Sequence, residues 1–213
     1  TRDLEEAALS CMKRLGAASS FVGYAPWGKP PYPSVLCVSV DHEVVHAPSG
    51  DRELLEGQIV SIDCGVHIDG FHGDSAVTLP VGAVSPEKTA LMSACRLALW
   101  AGILAVRPGA TLRDVASAID GASAVYGLVD RLGGHGIGRK LHEEPFVANC
   151  VRALPVDMTL CEGMTIALEP MLTLGSADVI ELADRWTVTT RDGLPAAHFE
   201  HTVAVTASGF EVL

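Results

Sequence analysis

The sequence predicts an α+β fold. Three segments with helical spacing stand apart from a series of short β-branched runs suited to antiparallel pairing, and 213 residues suit one hydrophobic core. Hydrophobic residues at 48% against 19% charged supply enough apolar surface to bury such a core, which argues against disorder. The first helix covers residues 2–15, where Leu4, Ala7, Ala8, Cys11, Met12 and Leu15 form one stripe that reads as core packing. Residues 23–33 hold Pro26, Pro30, Pro31 and Pro33 among Tyr24, Trp27 and Tyr32, a rigid aromatic segment able to wall a pocket. Strands are expected at 34–40, 59–67 and 71–79. The clearest helix follows at 86–106, with Ser85 as N-cap, Pro86 in the first turn, and Pro108 and Gly109 as its stop. Another starts at once, because Thr111 and Asp114 form a capping pair ahead of Leu112, Val115, Ala116, Ile119 and Ala122, with Gly127 as its terminator. Strands at 164–168, 186–190 and 198–206 complete the set, with no tract that splits the chain into a second domain.

Composition narrows the function classes. A formal net charge of −11 opposes binding to phosphate backbones or anionic lipid, so neither nucleic acid nor a membrane is an expected partner. The most apolar stretch, 91–106, is interrupted by Arg96 and reads as a buried core helix too short to cross a bilayer. Cys11, Cys37, Cys64, Cys95, Cys150 and Cys161 are scattered without a C-x-x-C pair. Together with a charged opening segment unlike a secretory signal, they point to reduced thiols and a cytoplasmic location.

The most informative local feature lies within 59–79. Asp69-Gly70 is a strong two-residue hairpin turn. If Ile68 pairs with Phe71, then Gly65 faces Asp74, and Asp63 becomes a diagonal neighbour of Asp74 on the same face. Two carboxylates so placed repel unless one takes a proton or a cation sits between them. His135 lies in the glycine-rich run 133–138, Glu169 follows an apolar strand and precedes Pro170, and Glu200 lies within another strand. Oxygen-rich ligation with one imidazole suits Mn, Fe or Co. Taken singly, each has an ordinary reading: a hairpin aspartate sits in a turn or at an edge, and glycines around one His form a loop that turns or binds phosphate. The set carries the reading.

Four segments resemble type I methionine aminopeptidases in order and spacing: Ile62-Asp63-Cys64-Gly65 with His72-Gly73-Asp74, the run from Gly134-His135-Gly136 to His142-Glu143-Glu144-Pro145, Ile166-Ala167-Leu168-Glu169-Pro170, and Phe199-Glu200-His201-Thr202. The resemblance runs through residues 1–213, read as one catalytic domain that begins near the family's second helix. It implies the pita-bread fold, in which two pseudo-symmetric α/β halves enclose a pair of divalent cations, Co, Mn or Fe, with Zn as a further option. By resemblance Asp63 is a bidentate ligand of one ion, Asp74 and Glu200 bridge both, and His135 and Glu169 complete the other. His46 and His142 fall where the family contacts substrate, and Tyr32, Cys37 and Trp186 resemble residues of the methionine side-chain pocket. Lys29 stands where an aromatic residue is common.

The implied activity is hydrolysis of the N-terminal methionine from nascent polypeptides with a small second residue. Glu169 would move the proton, while His46 and His142 would steady the tetrahedral intermediate. A monomer acting on peptide N-termini, in transient association with the ribosome, follows from the same likeness. Alternatives are an Xaa-Pro peptidase, a specialised pathway or resistance aminopeptidase of the same fold, and a metal-free binding protein, which retention of all five ligands opposes.

Overall fold

The computed structural model of the protein describes residues 1–123 and 125–213. The chain runs through α1 (Arg2–Leu15), β1 (Ala18–Ser19), β2 (Cys37–Val40), β3 (Glu43–Val45), β4 (Ile59–Ile68) and β5 (Phe71–Pro80). It continues with α2 (Pro86–Ala105), α3 (Leu112–Ser123), β6 (Gly127–Leu128), β7 (Gly133–Gly136), β8 (Glu143–Ala148), β9 (Thr165–Leu168) and β10 (Met171–Thr173). It closes with β11 (Val179–Glu181), β12 (Val188–Thr190), β13 (Ala196–His198), β14 (Glu200–Thr206) and β15 (Gly209–Val212).

Each helix forms where its capping residues place it. Gly16, in the left-handed region at φ 69°, closes α1. Its apolar stripe is only partly used: Met12 is buried with Leu4 and Ala8 packed nearby, whereas Ala7 and Leu15 face solvent. Ser85 accepts the Lys88 N–H at the start of α2, with Pro86 in the first turn. At 20 residues, α2 is long and apolar enough to span a bilayer by length and composition, more than the 91–106 stretch suggested. It serves as a core helix here, burying Leu91, Cys95, Leu99 and Ile103. The α3 cap is reciprocal: the Thr111 N–H donates to the Asp114 carboxylate at 2.8 Å and the Asp114 N–H to the Thr111 hydroxyl at 3.2 Å. The expected end at Gly127 differs from what is found. The helix is described to Ser123, residue 124 lies outside the described residues, and Gly127 opens β6, where a Cβ would come within 2.3 Å of Thr173 Oγ1.

All pairs among the described strands are antiparallel. One nine-stranded sheet has the order β1-β4-β5-β14-β9-β7-β8, with β2 added on β4 and β15 on β14. Two three-stranded sheets, β13-β10-β6 and β11-β12-β3, complete the framework. The largest core lies between α2, α3 and the sheets, built on Leu91, Leu99, Ile103, Ile119, Leu160, Ile166 and Leu168. A smaller core under α1 joins Met12 to Val38, Val60 and Ile62.

The β4–β5 hairpin has the expected register. Ile68 pairs with Phe71 and Gly65 with Asp74, across a turn in which Asp69 (φ 52°) and Gly70 (φ 80°) both adopt positive φ. Along β5 the usual alternation is inverted. Asp74, Ala76 and Thr78 point inward, while Val77 and Leu79 are substantially exposed.

Three strand expectations change. The 34–40 and 186–190 strands begin only at Cys37 and Val188. The run at 198–206 is two strands, because the chain leaves one sheet at His198 and enters another at Glu200, with Phe199 between them. The glycine run is strand β7 rather than a loop. A Cβ on Gly134 would lie 2.0 Å from the Ala167 carbonyl oxygen, and one on Gly136 2.2 Å from that of Glu144, so the glycines allow close backbone approach.

Candidate metal centre and substrate pocket

Backbone register alone brings most of the acids together. Cys37 pairs with Asp63 between β2 and β4, Asp63 with Ala76 between β4 and β5, and Ala76 with Glu200 between β5 and β14. Residues directly opposite point to one face, so Cys37, Asp63, Ala76 and Glu200 form a single row. Ala76 contributes the smallest side chain of the four and leaves space between the acids. Asp74, two residues from Ala76, shares the face. On the far side of β14, His201 pairs with Leu168, which sets Glu169 beside Glu200 at the end of β9. His135 reaches the same space from β7, its Nδ1 within 2.8 Å of the Gly136 carbonyl oxygen. The carbonyl accepts, so Nδ1 carries the hydrogen and Nε2 faces the acids as a free lone pair.

The five expected ligands, Asp63, Asp74, His135, Glu169 and Glu200, are all buried and line one cavity of about 170 Å³. The groups Asp74, His135, Glu200 and Asp63, His198, Glu200 each offer donor atoms within 4.8 Å of one another. Among the described residues, Asp63 Oδ1 and Glu200 Oε1 are buried with no hydrogen-bond partner. Burial raises the Asp63 carboxyl to about 6. Burial first, then neighbouring carboxylates, pushes Asp74, Glu169 and Glu200 well above the usual range. Four buried acids, two of them with an orphaned oxygen, and one imidazole make a hard, oxygen-rich donor set that divalent cations satisfy.

The pocket beside the acids is aromatic. Tyr32 meets Trp186 edge-on at 4.9 Å between ring centroids and Phe21 at 6.2 Å. These rings cluster with Cys37, Ile137 and Leu141. The Trp186 indole N–H donates to the Pro30 carbonyl at 3.1 Å, tying one wall to the proline-rich loop. Lys29, itself a lining residue of the cavity, braces that wall. It pairs with Glu181, donates to the Arg185 carbonyl at 2.7 Å and lies 5.0 Å over the Trp186 ring.

Two histidines complete the cavity. His142 stacks on Tyr24 and lies 4.1 Å from the His135 ring, with the Tyr24 hydroxyl 2.7 Å from its Nδ1. His46 sits at φ 62°. Burial lowers His46 to about 4 and His142 to about 3, so both are neutral at ordinary pH. Every site residue expected from the sequence lines this one cavity. Tyr24 lines the cavity as its place in the aromatic loop implied, whereas Phe21, Leu141, Glu181 and His198 have no assigned role in the sequence. Only His198 carried a signal, its spacing of two from Glu200, and the strand break at Phe199 hides its meaning.

A sequence profile of metallopeptidase family M24 matches residues 1–207. The chain belongs to metallopeptidase family M24. This M24 chain is 44% identical to a methionine aminopeptidase of Aquifex aeolicus over 100% of its own length and 84% of the relative's. It is 46% identical to methionine aminopeptidase 1 of Mycobacterium tuberculosis over 99% and 80%. The crystal structure of methionine aminopeptidase from Rickettsia prowazekii superposes with a TM-score of 0.93 at 36% identity, covering 99% of this chain and 84% of that one. The M24 chain therefore has the pita-bread architecture that the sequence motifs implied.

Proposed function

We propose that this protein is a methionyl aminopeptidase, with residues 1–213 acting as one catalytic domain. It hydrolyses the N-terminal methionine from new polypeptides whose second residue is small. Two divalent cations, Mn, Co or Fe in preference to Zn, are held by Asp63, Asp74, His135, Glu169 and Glu200. One observation carries this reading: five side chains from distant segments, buried together, face a single cavity walled by Tyr32, Cys37 and Trp186. The methionine aminopeptidases that match nearly the whole chain support the substrate.

The cations, when bound, polarise the scissile carbonyl and lower the pKa of water. The protein supplies the rest. Glu169, at the edge of the acid cluster, takes the proton from water and returns it to the leaving amine. The Tyr24 hydroxyl lies 2.7 Å from His142 Nδ1, and in the tautomer in which it donates there, Nε2 carries the hydrogen and donates to the substrate carbonyl as it becomes tetrahedral. His46, also neutral and lining the same cavity, steadies the peptide. The thioether of the substrate packs against the Cys37 sulfur and the rings of Tyr32 and Trp186, a setting that suits a flexible, polarisable chain.

A cytoplasmic location is supported by six unpaired cysteines. The formal charge of −11 supports a peptide partner, met free or as it leaves the ribosome, over nucleic acid or an anionic membrane. We take the working form to be a monomer. The deciding assay follows methionine release from Met-Ala-Ser and proline release from Xaa-Pro peptides, after chelation and re-addition of Mn, Co or Fe. Cation-dependent release from Met-Ala-Ser alone is expected. Turnover of Xaa-Pro peptides alone, or full turnover by the chelated protein, overturns the assignment.

A further inference from the structure

His198 is the one buried histidine at the centre that the proposed chemistry leaves without a task. Its side chain is 2% exposed, and its Nε2 has no hydrogen-bond partner among the described residues. That nitrogen lies 3.7 Å from Glu169 Oε2 and 3.7 Å from Glu200 Oε2. Glu169 is thereby bracketed by two imidazoles, since its Oε1 is 3.8 Å from His135 Nε2. The roles of the two rings differ. His135 lines the cavity, whereas His198 lies outside its lining, with a ring nitrogen within 4.8 Å of donor oxygens of both Asp63 and Glu200.

The backbone that carries His198 is fixed. Its N–H donates to Thr78 Oγ1 at 2.8 Å and its carbonyl accepts from the same hydroxyl group at 2.8 Å, while Thr78 contacts Ser61 Oγ at 2.8 Å. Once cations hold both carboxylates ionised, an imidazole nitrogen between their oxygens is repelled if it presents a lone pair and attracted if it presents a hydrogen. The tautomer with hydrogen on Nε2 is therefore the one that fits. At 3.7 Å neither contact is a hydrogen bond. A movement of less than about 1 Å by either glutamate completes one.

We infer that His198 is a positioning residue, a fixed donor beside Glu169 and Glu200 that orients both carboxylates toward the cations. The inference rests on the two-cation reading above. Outer donors of this kind hold ligand carboxylates in the orientation an ion needs and raise affinity by about 10–100-fold. In this chain one ring serves two ligands, and one of them, Glu169, also carries the proton in the proposed hydrolysis.

The test compares wild type, H198L and H198Q after chelation, titrated calorimetrically with Mn or Co, with folding checked by circular dichroism. H198L is expected to bind the ions about 10–100-fold more weakly, and H198Q, whose amide also donates, to recover most of the loss. X-ray absorption of the Co-loaded proteins should show the same imidazole count in all three, half a ring per ion from His135 alone. Equal affinity in wild type and H198L overturns the inference. So does a wild-type count of one imidazole per ion that halves in H198L, because His198 would then be a ligand itself. If H198L fails to fold, H198N, a donor too short to reach either glutamate, takes its place with the same expected loss. Wild-type protein that takes up no cation defeats the two-cation reading and the inference together, whereas uptake that is indifferent to residue 198 defeats the inference alone.

Discussion

The β4–β5 hairpin and the β7–β9–β14 assembly each deliver acids to the same cavity, by different means. In the hairpin, a two-residue turn fixes the register that sets Asp63 beside Asp74; on β5 a Cβ on Gly73 meets nothing within 4 Å, although one on Gly65 of β4 would come within 2.3 Å of the Phe21 ring. In the assembly, His135, Glu169 and Glu200 come from separate segments and meet only because β14 lies between β5 and β9 while β7 presses on β9. A Cβ on Gly134 would come within 2.0 Å of the Ala167 oxygen. Register set by a turn leaves room for change at Gly73, whereas the backbone contact at Gly134 leaves none.

The largest effect should be blind to this difference. Asp74→Ala in the hairpin and Glu200→Ala in the assembly each remove a proposed cation ligand. Each is expected to lower kcat by at least about 10²–10³-fold, the cost of losing one electrostatic contact to a reacting centre. Either purified variant turning over Met-Ala-Ser normally with full metal content would refute the shared centre.

The next effect joins the two regions through charge. In cation-free protein the buried acids have folded-state pKa values above their unfolded ones, Asp63 reaching about 6 from 3.8. Above the lower value the native state binds more protons than the unfolded chain, so stability falls as pH rises. The penalty is absent below pH 3.8, grows through pH 6, and continues as Asp74, Glu169 and Glu200 ionise. Urea midpoints of chelated protein should therefore drop by the equivalent of a few kcal/mol between about pH 5 and 8, and added Mn should reverse the drop. A midpoint independent of pH in the chelated protein would contradict the repulsion between the regions.

The smallest effect separates them. Gly134→Ala should cost about 1–3 kcal/mol, because β7 must move from β9 and carry His135 with it. Gly73→Ala should stay within about 0.5 kcal/mol. Paired denaturation curves and metal titrations check this, and equal costs would dissolve the distinction.

Legibility follows the same division. The Asp69-Gly70 turn, the Ser85 cap and the Thr111–Asp114 pair act over a few residues, so their consequences can be read along the chain. The closeness of β7 to β9 depends on residues far apart, and its glycines read equally well as a turn. The switch of sheets at Phe199 gives no periodic signal, since His198 and Glu200 keep the spacing of one continuous strand. The ligand set is legible only through motifs whose order resembles a family. The role of His198 depends on its place outside the cavity lining, which the sequence does not show.

The inverted alternation of β5 reaches the outer surface. A strand cannot slip by one residue without exchanging its faces. To keep Asp74 over the cavity, the chain must leave Val77 and Leu79 turned outward, beyond the cover that α1 gives to Val60 and Ile62. A sequence selected for colloidal behaviour alone would place polar residues there. Those two aliphatic side chains are the external imprint of a buried acid.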